Sequence, residues 1–186
     1  RTARNIAQSL FEALICTPLY STDATVLFHG DPHAGNILIY QEPDSEQYWI
    51  GLVDWTLAGR LTLEERVRLS QLVQAVIKGN SIEIVSIVGK LANEVAESFR
   101  PKQKGLQKAV QSLLHSKEYQ DLSLISTVFS LLEELSYMGL VFRADLMLFR
   151  KSLFTLEGVL LDICPDFNID AQMMDFVARR ISEELP

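Results

Sequence analysis

The chain has 186 residues, 48% hydrophobic and 22% charged, enough apolar content to bury a sizeable core and too much for a disordered segment. With 17 basic against 24 acidic residues the net charge is −7, which argues against a general nucleic-acid surface. Its two cysteines, Cys16 and Cys164, support neither a disulfide framework nor a zinc cluster and point to a reducing compartment. No apolar run reaches bilayer length, and no signal peptide is visible.

In chain order, Ile6, Leu10, Phe11 and Leu14 recur at helical spacing and predict a helix over 2–15 with a buried stripe. Thr25-Val26-Leu27-Phe28 predicts a short strand, and Ile37-Leu38-Ile39-Tyr40 a second. Between them lies His29-Gly30-Asp31-Pro32-His33-Ala34-Gly35-Asn36, punctuated by Pro32 and Gly35 as a loop. A polar, turn-rich stretch over 41–47 leads into a third strand over 48–53, which ends at Asp54. A hairpin of this kind returns Asp54 to the side of Asn36.

The interval from Asp31 to Asn36 is that of a kinase catalytic loop, in which the Asp meets the attacking hydroxyl and the Asn holds Mg²⁺. Asp54 is then the second metal ligand. Phosphoryl transfer calls for such a set because its transition state spreads negative charge over oxygens, and hard oxygen ligands on Mg²⁺ offset that charge. His29 takes the position of the loop-orienting histidine. His33 can touch a nucleotide phosphate or order the loop. The two histidines lie four apart, yet Pro32 and Gly35 oppose the helix that a shared zinc ion would need, and no cysteine lies nearby. Each residue alone reads better as an ordinary turn residue; the constellation carries the functional reading.

Beyond Asp54, Thr62 and Glu65 form a capping-box pattern ahead of a helix whose inner face is Leu69, Leu72, Val73, Val76 and Ile77, with Gly79-Asn80 as its stop. Ser81 caps the next expected helix, which runs to about Glu97 and closes before Pro101. A polar link over 101–105 precedes a helix over 106–116, and Asp121 opens a long pattern through Tyr137 that Gly139 interrupts. A helix resumes over 143–160, and Asp170 caps a last one ending near Glu184. Met138, Phe142, Met147, Phe149 and Phe154 are expected in the core. Lys102, Lys104, Lys108 and His115 are expected at the surface.

His29-Gly30-Asp31 through Asn36, with Asp54-Trp55, resembles both the aminoglycoside and choline kinase-like enzymes and the UbiB/AarF-like atypical kinases of ubiquinone and other prenyl-lipid metabolism. The passage Asp54-Trp55-Thr56-Leu57-Ala58-Gly59-Arg60-Leu61-Thr62 into Leu63-Glu64-Glu65-Arg66, then Gly79-Asn80, Leu156-Glu157-Gly158 and Pro165-Asp166-Phe167, is similar to the UbiB/AarF-like family across nearly the whole chain. Two departures are visible: Ala34 stands where that family usually has Pro, and Trp55-Thr56 where Phe-Gly often follows the metal-binding Asp. Neither removes a metal ligand.

The resemblance implies a kinase-like fold, mainly α with a small β-hairpin region. It also implies one domain over 1–186, with catalytic loop and metal site in 25–60 and a helical bundle in 62–186. The family's Lys-x-Gly-Gln element is absent, and residues 1–24 hold no Gly and no Lys, so the Gly-rich cover and phosphate lysine of such enzymes are not there. The expectation is a carboxyl-terminal lobe whose partner is an amino-terminal nucleotide-binding lobe of the same protein. ATP or ADP with Mg²⁺ is the implied cofactor, and a prenyl lipid or membrane-bound protein a further partner. The implied location is intracellular, cytoplasmic or peripherally membrane-associated. Two other classes share these residues, a small-molecule kinase and a non-catalytic nucleotide-binding module.

Overall fold

The computed structural model describes residues 2–42, 48–92, 94 and 96–184, so the expected turn at 43–47 lies outside the described residues. The chain is mainly helical with two small two-stranded sheets. It divides into two compact units, one made of Arg1–Leu61 with Lys151–Pro186 and the other of Thr62–Arg150.

The first unit opens with α1 (Thr2–Phe11), passes through a π-helical turn (Glu12–Cys16) and ends its helical path with α2 (Thr17–Tyr20). The wide turn is closed by the Thr17 amide on the Glu12 carbonyl, and Pro18 follows near the start of α2, where its missing N–H costs least. Leu10, Phe11 and Leu14 of the expected stripe are buried, together with Ala7, Ile15 and Cys16. Burial pushes the Cys16 thiol up to about 12, with the Glu12 charge adding to the effect, so this cysteine stays a protonated, unreactive core group.

Strands β1 (Thr25–His29), β2 (Ile37–Gln41) and β3 (Tyr48–Leu52) fall where the apolar runs predict them. β2 and β3 pair antiparallel in the register Ile37↔Leu52 through Gln41↔Tyr48. A fourth strand, β4 (Ala58–Thr62), pairs with β1 and was not expected. Its Gly59 explains the close pairing, since a Cβ there would stand 2.2 Å from Cζ of Phe28, a fully buried ring. The unit is completed by the later part of α8 (Ala144–Ile163) and by α9 (Ile169–Glu184). Phe167 meets the Phe11 ring edge-on at 5.8 Å, and Arg179 of α9 pairs with Glu12.

The second unit holds α3 (Leu63–Ile77), α4 (Ser81–Leu91), α5 (Ala96–Leu114), a short α6 (Lys117–Gln120), α7 (Leu124–Tyr137) and the start of α8. The capping box forms as expected. Thr62 accepts from the Glu65 amide, and the Glu65 carboxylate accepts from the Thr62 amide at 2.9 Å and from Arg143 at 3.0 Å. Gly79 ends α3 with φ of 63°, a conformation that glycine adopts without a Cβ penalty.

Several helix boundaries differ from those expected. Asn80, not Ser81, caps α4, because its side-chain oxygen reaches the Glu83 amide at 3.2 Å. The helix expected to reach Glu97 stops at Leu91, and α5 then runs straight through Pro101 and Gly105. Burial of Phe99, Leu106 and Val110 along one face outweighs the lost backbone bond. Ser123 rather than Asp121 caps α7, and Asn168 rather than Asp170 caps α9, in each case because that side-chain oxygen reaches an amide three residues on. Ile77 and Met138 are exposed, since both sit at helix ends beyond the covered face, whereas Phe142 and Phe149 are buried. Lys102, Lys104, Lys108 and His115 are exposed, as expected.

The packing of β1 on β4 yields a direct test. Gly59→Ala forces a Cβ into the Phe28 ring and is expected to destabilise the fold by about 1–3 kcal/mol, read as a lower denaturation midpoint at unchanged slope. An unchanged midpoint would show that Phe28 does not occupy this space.

Candidate functional site

The loop after β1 is organised by His29, a nearly fully buried side chain. Its Nδ1 accepts the Asp31 amide at 3.1 Å, which puts the ring proton on Nε2, and Nε2–H donates to the Val53 carbonyl at 2.9 Å. The Trp55 ring stands edge-on to the imidazole, centroids 4.8 Å apart. The His29 carbonyl accepts the buried hydroxyl of Ser152, on α8, at 2.7 Å. A single histidine thus ties together the segment before Asp31, the segment before Asp54 and a helix more than a hundred residues later.

Asn36 lies at the end of a single 3₁₀ turn (Ala34–Asn36). Its side-chain N–H donates to the Asp31 carbonyl at 3.0 Å, and its own carbonyl accepts the Val53 amide at 3.0 Å. That last bond extends the β2–β3 register, so Asp54 directly follows the residue bonded to Asn36, as the hairpin expectation requires. Asn36 is buried and its Oδ1 has no protein partner among the described residues.

Asp54 has φ of 57°, a left-handed backbone that costs energy in any residue with a Cβ and that Asp and Asn adopt most readily among them. Its Oδ1 accepts the Thr56 hydroxyl at 2.6 Å and, more weakly, the Thr56 amide at 3.4 Å. The Thr56 hydroxyl bond is the main reason that the Asp54 carboxyl is held below the usual carboxylate range, with the Thr56 amide adding to it. Asp54 is exposed, and its Oδ2 has no protein partner among the described residues. A carboxylate and an unpartnered amide oxygen on adjoining backbone segments are the oxygen types Mg²⁺ takes, since that ion keeps several waters and needs only one or two protein oxygens besides phosphate. Among the described residues no three His, Cys, Asp or Glu side chains gather into a richer metal cluster.

His33 caps the 3₁₀ turn, its Nδ1 accepting the Gly35 amide at 3.1 Å. The ring is exposed, so only Nε2 is available to a ligand.

Asp31 is partly exposed, and its Oδ1 lies 3.0 Å from the ammonium of Lys151. Lys151, Ser152 and Thr56 were all missed by sequence reading. Thr56 had a signal, because an Asp with Thr two residues on is the pattern of a side-chain-capped turn. Lys151 and Ser152 had none, being ordinary helical residues 120 and more positions from the loop.

Residues 1–88 match the ABC1 atypical kinase-like domain, consistent with the UbiB/AarF-like resemblance. An uncharacterized protein of Synechocystis sp. is 29% identical over 154 residues, covering 80% of this chain and 25% of that protein. The chain therefore spans about a quarter of the length of the curated relative it matches. No solved structure gives a significant match.

The Thr56 contact can be checked in isolation. Thr56→Val removes the strongest bond to the Asp54 carboxylate and is expected to move its titration upward, toward the ordinary value, in a carboxyl-detected NMR titration. An unmoved midpoint would show that the hydroxyl does not stabilise the charged form.

Proposed function

We propose that this chain carries the catalytic loop and metal ligands of an ATP-dependent phosphotransferase or ATPase of the ABC1 atypical kinase-like type, and that it forms the carboxyl-terminal lobe of that enzyme. The observation that carries the reading is the bond from the Val53 amide to the Asn36 carbonyl, which extends the hairpin so that Asp54 follows the residue bonded to Asn36, whose side chain in turn holds the Asp31 carbonyl. The match over residues 1–88 supports the kinase-like class. The link to ubiquinone or other prenyl lipids is taken from the family resemblance alone.

In this reading Asn36 Oδ1 and Asp54 hold Mg²⁺, which when bound neutralises charge on the transferring phosphate. Asp31, partly exposed and with its Oδ2 not engaged by any described residue, orients the attacking hydroxyl or water and accepts its proton. Asn36 spends its amide N–H on the Asp31 backbone, so one side chain fixes both the metal position and the base. His29 orients the loop through two ring bonds and takes no part in proton transfer, since both nitrogens are engaged. His33 offers Nε2 to a phosphate oxygen. The Gly-rich cover and the phosphate lysine come, in this proposal, from protein outside the present sequence. No described helix is long and apolar enough to cross a membrane.

The reading predicts a split between chemistry and binding in the intact protein that contains this chain. Asp31→Asn is expected to lower ATP turnover by about 10²–10⁴-fold, roughly 3–5 kcal/mol of barrier, while Mg²⁺-nucleotide affinity stays near wild type. Asp54→Asn is expected to weaken that affinity, because a neutral amide replaces a charged oxygen ligand. Wild-type turnover in the first variant together with wild-type calorimetric affinity in the second would remove the phosphotransfer assignment.

A further inference from the structure

Residues 5–59 contain not one Lys or Arg, although they include Asp31 and Asp54 as well as five other acidic residues. A site of this kind has to stabilise negative charge as the phosphoryl group moves, and a protein cation next to the base would contribute to that. The structure supplies one from far along the chain. Lys151 Nζ lies 3.0 Å from Asp31 Oδ1, and the next residue, Ser152, has its buried hydroxyl on the carbonyl of His29, two residues before Asp31. The serine bond fixes this turn of α8 against the loop, so the lysine is delivered to the carboxylate by a buried contact and not by chance at the surface.

A half-exposed ion pair contributes little to stability. The ammonium has three donors, and only the one on Asp31 is used by protein among the described residues. A base within hydrogen-bond reach of the attacking oxygen puts the transferring phosphorus roughly 5–6 Å from that base, within reach of an ammonium resting on it.

Resting on the phosphotransfer reading above, we propose that Lys151 is a catalytic residue that bridges Asp31 and the oxygens of the phosphoryl group being transferred from a nucleoside triphosphate. The bond from the acceptor oxygen to phosphorus forms, the bond to the departing diphosphate breaks, and the acceptor proton goes to Asp31. Lys151 keeps all its protons and contributes positive charge where the equatorial oxygens gain negative charge.

The test uses the intact protein with Lys151→Met, Lys151→Arg, Asp31→Asn and the double variant Asp31→Asn/Lys151→Met. Lys151→Met is expected to lower kcat about 10²-fold with little change in calorimetric Mg²⁺-ATP affinity, and Lys151→Arg to recover part of the loss by keeping the cation. The double variant should be slowed by less than the product of the two single losses, because the two side chains are coupled. A second readout does not depend on turnover: an acyl-phosphate derivative of ATP, which acylates a lysine amine next to the bound phosphates and releases ATP, should label Lys151, and excess Mg²⁺-ATP should suppress that label. Wild-type kcat in Lys151→Met, or no ATP-suppressible label on Lys151, would overturn the proposal. If Asp31→Asn is slow while Lys151→Met is not, the lysine role falls and the phosphotransfer reading stands; if Asp31→Asn is also at the wild-type rate, both fall.

Discussion

Everything in the candidate site hangs on the two-sided hydrogen bonding of the His29 ring. A neutral imidazole has one donor and one acceptor, and here the acceptor takes the Asp31 amide while the donor holds the Val53 carbonyl. The distance between the Asp31 and Asp54 segments is therefore set by the width of a five-membered ring that is itself buried. Asn36 adds a second tie between the same two segments, to the Asp31 carbonyl through its side chain and to the Val53 amide through its backbone. The acidic groups are positioned by backbone bonds around them, which leaves the carboxylates themselves open for chemistry.

Holding carboxylates in one locality has an electrostatic cost, and the structure meets it differently at each. Asp54 is served by the Thr56 hydroxyl and amide, a purely local device made available by its left-handed backbone. Asp31 receives a full positive charge from a distant helix. The two kinds of support suit different tasks: a short hydroxyl bond keeps a carboxylate ionised and still, as a metal ligand requires, whereas an ammonium on a flexible stem can follow charge as it moves.

How much of this was legible in the sequence depended on whether the deciding contact was local. The strands around the loop, the Thr62–Glu65 cap and the stop at Gly79 are written in neighbouring residues and were found there. β4 was not, because Ala58-Gly59-Arg60-Leu61-Thr62 lacks a strong alternating pattern and is held by the fit of Gly59 to a ring thirty-one positions earlier. The continuation of α5 through Pro101 was hidden for a related reason: local rules disfavour it, and the burial of Phe99, Leu106 and Val110 reverses them. At the site, Asp31, Asn36 and Asp54 could be named from spacing, while Lys151 and Ser152 could not, since nothing near them in the sequence distinguishes them from other helical residues.

The reach of α8 back to the loop also sets the order in which the molecule can be built. The residues that orient Asp31 are separated from it by 120 positions, so their contacts are among the most expensive in loop-closure entropy and belong late in folding. At ordinary translation speeds the ribosome adds those 120 residues in roughly 6–24 s, a period in which β1 and the loop exist without Ser152 or Lys151. During synthesis the loop is present long before the two α8 residues that bond to it, so the nascent chain passes through a stage in which the motif is complete in sequence and lacks those two contacts.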